Sequence, residues 1–339
     1  MSDNYLKATQ KLLEKGYFDY CTSSNYDEGC TKYFPSLSSK HLFEMVAEYP
    51  SDNYQSLVNK IKDKFGIKRI VLGAGSEDLI LKICQIIKDK HLKTGVVIPT
   101  FYRITDNIED YTSIPSSQLS RFNYKKIDLV WLVNPNPLTG NYIQKQTVNK
   151  IVRSNPQTLF VVDETAVFFL KEWSKVSFLR DSNKQKNLLA ITSFSKFHNL
   201  SGLRVGFATG NKNFLSEIQA WSLTFPISRL TCEIAENFIF NGFLEEIRNR
   251  IDKNKKLIKG ILSKNPNIEV KDSDTNCIFC RLKNGRSLYK ELLKVGIIGL
   301  NLDNQVGVKK EGWVRLTAHS SKMKHKKLIE SLNILVTKL

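Results

Sequence analysis

Short runs of β-branched and other apolar residues alternate along this chain with longer stretches whose apolar positions recur every three or four residues. The short runs predict strands at Gly95–Ile98, Leu129–Val133, Leu159–Val162, Leu188–Ile191 and Arg204–Ala208. The longer stretches predict helices, such as the one after Gly75 with its stripe of Leu79, Ile80, Ile83, Ile86 and Ile87. This alternation predicts an α/β fold with a mainly parallel central sheet. After about residue 235 the pattern changes, and a charged helix from Glu245 to Leu262 leads into short strands at Ile268–Val270, Cys277–Leu282 and Trp313–Thr317. The change marks a second, smaller α+β domain. The implied boundaries are 46–235 for a large domain, with 1–45 and 236–339 together forming the small one. No internal repeat or low-complexity linker interrupts them.

Composition narrows the classes open to such a fold. With 339 residues, 41% of them hydrophobic, the chain is long enough to bury two cores. No run approaches the length of a membrane span, and Met1 to Lys7 lack the apolar core of a secretory signal. A net charge of +18 raises nucleic acid as a partner class. The basic residues are nevertheless spread among 33 acidic ones, with a dense cluster only at Lys322 to Lys327, so no nucleic-acid partner is expected. Six scattered cysteines do not make a disulfide scaffold. Cys277-Ile-Phe-Cys280 has CxxC spacing but lies in an apolar strand with no second pair, so a buried structural role is expected, no metal, and a reducing cytoplasm.

Four of the predicted strands run directly into distinctive polar segments: Pro99-Thr-Phe101, Asn134-Pro-Asn-Pro137, Asp163-Glu164 and Thr192-Ser-Phe-Ser-Lys196. Ligands of open α/β sheets collect at the carboxyl ends of strands, so the four segments point to one shared site. Within it, Lys196 is the candidate nucleophile. Ser193, Ser195 and Arg204 offer two hydroxyls and a guanidinium fork of the kind that anchors a phosphate. Gly73-Ala-Gly-Ser-Glu-Asp78 opens the Leu79 helix, with Ser76 expected as its N-cap, and lets main-chain N–H groups close on an anion. The segment lacks the third glycine of a dinucleotide fingerprint and the Gly-Lys-Ser/Thr of a P-loop.

The spacing Ser193-x-Ser195-Lys196-x7-Arg204 resembles the cofactor-lysine segment of the fold-type-I pyridoxal phosphate enzymes. Within the class I/II aminotransferase family it is most similar to the histidinol-phosphate aminotransferase and threonine-phosphate decarboxylase group. The likeness runs from about Tyr49 to Thr317. It implies that Lys196 carries pyridoxal 5'-phosphate as a Schiff base and moves the substrate Cα proton. It further implies that Gly75, Ser76, Glu77, Ser193, Ser195 and Arg204 hold the cofactor phosphate, Asp163 pairs with the pyridine nitrogen, and Phe101 stacks on the ring. Arg315 would take the substrate α-carboxylate, with Asn276 on the neighbouring strand. Tyr49, in Glu48-Tyr-Pro50, would reach across a homodimer to the other subunit's phosphate.

Three positions depart from the family pattern. Pro137 stands where an asparagine usually bonds the cofactor's 3′ oxygen, which leaves Asn136 as the candidate replacement. Ala166 stands where a tyrosine makes the same contact. Leu300, in Gly296-Ile-Ile-Gly-Leu-Asn301, replaces an arginine that in histidinol-phosphate aminotransferases helps hold the substrate phosphate, with Lys309 and Lys310 nearby in sequence. Three readings follow: an aminotransferase, a decarboxylase of an O-phospho amino acid, or a cofactor-fold protein that has lost catalysis. The intact Lys196, Asp163, Arg204 and Arg315 argue against the last, and transamination is favoured, with substrate and acceptor open.

Overall fold

The computed structural model describes residues 9–50, 54–239 and 244–339; the expectation about a secretory signal falls on residues outside this set. Strands β1 (Val71–Ala74), β2 (Thr94–Ile98), β3 (Thr112–Pro115), β4 (Leu129–Val133), β5 (Leu159–Asp163), β6 (Leu188–Ser193) and β7 (Val205–Gly210) form one sheet. Its order is β1-β7-β6-β5-β4-β2-β3. The run from β3 through β2, β4 and β5 to β6 is parallel, and β7 lies antiparallel to both of its neighbours.

Every residue of β4 and β6 is buried, as a sheet covered on both faces requires. Alternate residues of one strand feed opposite cores: Val130, Leu132, Phe160, Val162 and Ala190 on one face, Leu129, Trp131, Val161, Leu189 and Ile191 on the other. Helices α1 (Gln55–Phe65), α2 (Gly75–Asp89), α3 (Lys145–Ser154) and α4 (Lys212–Ala220) flank the sheet. The first core takes Leu57, Ile61 and Phe65 of α1 with Val148 and Val152 of α3. The second takes Leu79, Ile80 and Ile83 of α2 with Phe214, Leu215 and Ile218 of α4.

Two strands of this sheet were not apparent in the hydrophobic pattern, β1 and β3, and both are edges. Each is four residues long; β3 buries one of its residues, and β1 contains a glycine that breaks its apolar run. The last strand of the sheet starts at Val205 rather than Arg204, because Arg204 adopts φ 54° in the left-handed region just ahead of it.

Beyond the sheet, β8 (Ile268–Lys271), β9 (Cys277–Leu282), β10 (Leu300–Asn301) and β11 (Val314–Thr317) form an antiparallel sheet ordered β10-β11-β9-β8. One face packs Ile278, Cys280, Val314 and Leu316 against α5 (Leu244–Leu262) and α6 (Lys322–Lys338). The other face gathers Cys277, Phe279, Leu300 and Trp313 around Cys21 and Leu138. Cys277 and Cys280 thus sit in different cores on opposite faces of β9, and both are free thiols. Phe18–Asp19 pairs in parallel with Ile297–Ile298, which fastens the N-terminal segment to this part of the chain. Among the described residues, no helix is long and apolar enough to cross a membrane.

Candidate active site

The sheet topology delivers five segments to one edge: the starts of the loops after β2, β4, β5 and β6, and the N-terminus of α2 after β1. Because β7 runs the opposite way, Arg204 at its start arrives at the same edge. Helix α2 begins at Gly75 with Ala74 at its N-cap and no side-chain cap, so Ser76, the expected cap, lies inside the first turn. Asp78 explains the difference. Its Oδ2 accepts from the Ala74 N–H at 2.9 Å and from Lys82 Nζ at 2.7 Å, which satisfies the cap position without a hydroxyl.

Across this helix end lies the Arg204 guanidinium. A Cβ on Gly75 would stand 2.4 Å from Arg204 Nη2, and one on Gly206 would stand 2.7 Å from Ser76 N. Glycine at both positions is what lets helix end, strand and guanidinium close on one another. Arg204 Nη1 donates to Ser195 Oγ at 3.2 Å and to the Ser201 carbonyl at 3.1 Å, while Ser193 Oγ accepts from Ser195 N at 3.4 Å. The Glu77 carboxylate turns to Arg103 at 2.6 Å, so its contribution to the cradle is its main-chain N–H. Helix amides, a guanidinium and a hydroxyl converging in this way fit a phosphate group.

Lys196 follows β6, partly exposed at the site. Burial pushes its ammonium below the usual lysine range, Arg315 and Arg204 add to the effect, and Asp163 opposes it. Asp163, at the end of β5, is 3% exposed and accepts from Thr165 N at 3.0 Å. Burial raises its carboxyl, and Thr165 and Lys196 pull it back. A buried carboxylate beside a lysine fits a protonated pyridine nitrogen as its counter-charge. Glu164, the next residue, has a different task. It is fully buried, accepts from Ser177 Oγ and Phe178 N at 2.8 Å each, and is pushed up to about 8 by burial. Phe101 is half-buried against the α2 core at the start of the short helix Tyr102–Thr105.

Arg315 projects from β11. It is 6% exposed, donates through Nη1 to the Pro137 carbonyl at 2.9 Å and through Nη2 to the Cys21 carbonyl, and its buried Nε has no partner. Pro137 has no side-chain donor, yet its carbonyl steadies this guanidinium. Asn136 braces the same loop, donating to the Pro99 carbonyl at 2.6 Å and accepting from Leu138 N at 2.8 Å. Asn276 is fully buried and donates to the Ser23 and Ala318 carbonyls at 3.2 and 3.5 Å, which ties the N-terminal segment to the small sheet. Tyr49 stands at the surface, 82% exposed and stacked on Phe225 with centroids 5.1 Å apart.

Other contributors escaped the sequence reading. Gly206 carried a signal, since a glycine inside an apolar strand marks a close backbone approach. The segment 21–27 carried none, because it acts through main-chain atoms: the Cys21 carbonyl on Arg315, and the Asn25 N–H, which donates to the Lys196 carbonyl at 2.7 Å.

Residues 22–332 match the family of aminotransferases of class I and II. Histidinol-phosphate aminotransferase of Thermoanaerobacter pseudethanolicus is 29% identical over 290 residues, 81% of each chain. The crystal structure of histidinol-phosphate aminotransferase from Clostridium acetobutylicum superposes with a TM-score of 0.80 at 23% identity, covering 95% of this chain and 100% of that one. L-threonine-O-3-phosphate decarboxylase from Porphyromonas gingivalis gives 0.77 at 22% identity, covering 94% and 99%. The structural likenesses establish the shared fold, and the match over 22–332 establishes descent: the chain belongs to the class I and II aminotransferase family, with its fold-type-I architecture and its dependence on pyridoxal phosphate.

Proposed function

We propose that this pyridoxal phosphate-dependent aminotransferase works through Lys196 on an amino donor whose α-carboxylate is held by Arg315. The observation that carries this reading is the convergence at one sheet edge of Lys196 after β6, Asp163 at the end of β5, and the Arg204–Ser195 pair closed on the N-terminus of α2. Arg204, Ser195 and the first amides of α2 would hold the cofactor's phosphate, with Phe101 available to its ring and Asp163 to its ring nitrogen. Bound there, pyridoxal phosphate supplies an aldehyde for amines to condense with and a ring that draws electrons from the substrate Cα. Because burial disfavours the ammonium form, Lys196 Nζ would be the group that holds the cofactor and takes the Cα proton. Arg315, steadied by two carbonyls, fixes the donor's carboxylate and so decides which Cα bond faces Lys196.

The apolar residues exposed around Tyr49 support a homodimer in which that tyrosine reaches the partner site. The free thiols of Cys30, Cys84, Cys277 and Cys280 support a reducing setting, the cytoplasm.

The test is the absorbance of the purified holoenzyme mixed with amino donors, with product analysis. Stoichiometric keto acid and conversion of the cofactor to its amine form are expected. Carbon dioxide release with the original absorbance restored would instead place the chain among the decarboxylases. Lys196→Ala should remove the lysine-linked absorbance and lower turnover by about a hundredfold to ten-thousandfold. An unchanged band in that variant would sink the assignment.

A further inference from the structure

Arg315 stands in register with Leu300 of β10 on one side and Phe279 of β9 on the other. Directly opposed residues of antiparallel strands project on the same face, with Cβ atoms about 4.5–5.5 Å apart. The guanidinium therefore rises between two hydrocarbon side chains. Leu138 from the loop after β4, Cys21 from the N-terminal segment, Cys277 of β9, and Trp313 just ahead of β11 extend this into one apolar cluster.

Arg315 is buried in that cluster against two main-chain carbonyls, and no described carboxylate pairs with it. The other cations of the small sheet are engaged elsewhere. Arg281 pairs with Glu269 at 2.8 Å and Glu311 at 3.2 Å, and Lys271 sits over the Trp313 ring at 4.0 Å. Lys309 and Lys310 are exposed. A buried guanidinium without a counter-charge is completed by one anion. A carboxylate brings a single negative charge. A phosphorylated amino acid brings that carboxylate and nearly two further negative charges on its phosphate, and Leu300, in register beside Arg315, offers nothing to neutralise them.

We propose that the donor is an α-amino acid with a neutral, apolar side chain, and that Leu300 beside Arg315 is the residue that turns phosphorylated donors away. The inference rests on the assignment of Arg315 to the donor's carboxylate. It names which member of the family's range of donors this site accepts.

Holoenzyme is mixed with leucine, methionine or phenylalanine, and separately with O-phosphoserine, O-phosphothreonine or histidinol phosphate. The half-reaction is followed by cofactor absorbance and product. The apolar set is expected to win by about a hundredfold in kcat/KM. A phosphorylated donor that outpaces every apolar one would overturn the proposal while leaving the aminotransferase reading intact. Cofactor absorbance that responds to no donor of either set would overturn that reading, and this inference with it. Leu300→Arg places a second guanidinium beside Arg315 and should move the preference toward O-phosphoserine by about tenfold or more. An unchanged preference in a variant that retains its cofactor absorbance would remove Leu300 from the role.

Discussion

One missing methyl group separates a phosphate cradle from a steric block. A Cβ at Gly206 would lie 2.7 Å from both Gly75 C and Ser76 N and 2.9 Å from the Thr192 carbonyl, all of them backbone atoms that no rotamer change can move. Gly206→Ala must therefore push the end of α2 away from β7 and from Arg204. A loss of about 1–3 kcal/mol in stability is expected, with a weaker hold on pyridoxal phosphate, read by absorbance titration of the apoprotein. Gly202→Ala in the neighbouring loop is the comparison, because nothing lies within 4 Å of that Cβ. Equal cofactor affinity in both variants would refute the cradle. The same contrast explains which site residues the sequence disclosed. Lys196, Asp163, Arg204 and Arg315 are proposed to act through charged side chains, whose types and spacing are visible in the sequence. Gly206, Pro137 and Cys21 act through an absent side chain or a carbonyl, which any residue's backbone supplies.

At the scale of elements, the loop after β6 is held by a cluster of rings. His198 packs edge-on against Phe168, Phe194 and Phe197 at centroid distances of 4.8, 5.0 and 5.4 Å, and its Nδ1 has no hydrogen-bond partner. Burial, aided by Arg248 and Lys64, lowers its pKa to about 3. An unfolded histidine protonates near pH 6.5, so the unfolded chain gains this proton first. The contribution of neutral His198 is thus whole above pH 6.5 and drains away as pH falls toward 3. Between pH 6.5 and 5 that amounts to about 2 kcal/mol. His198→Phe, which keeps the ring in the cluster, should flatten this decline in urea unfolding measured at pH 7 and pH 5. A decline of the same size in both proteins would show that His198 is not the titrating group. Element by element, the sequence was readable where both faces of a strand are covered, as in β4 and β6, since such strands are continuous apolar runs. At the two edges, where β1 and β3 pair on one side only, four-residue strands do not rise above the background of apolar residues.

For the whole molecule, a net charge of +18 opposes the meeting of two copies, so apolar surface must outweigh the repulsion. That surface is present beside Tyr49. Phe43 and Val46 are each 70% exposed on the helix Ser39–Ala47, and Leu223 is 73% exposed on a segment joined to this one. Tyr49 stacks on Phe225 there, and Glu48 pairs with Arg229. Large side chains left exposed together are what the proposed homodimer would cover. The protein is expected to sediment as a dimer, and Phe43→Asp with Val46→Asp to sediment as a monomer. If Tyr49 completes the partner's phosphate cradle, the monomeric variant also loses cofactor affinity, although every residue of its own cradle is untouched. Tyr49→Phe separates the two effects: it keeps the stack on Phe225 and the dimer, and weakens only the hold on pyridoxal phosphate. A monomer that binds the cofactor as tightly as the wild-type protein would confine the site to one chain and leave Tyr49 a surface residue.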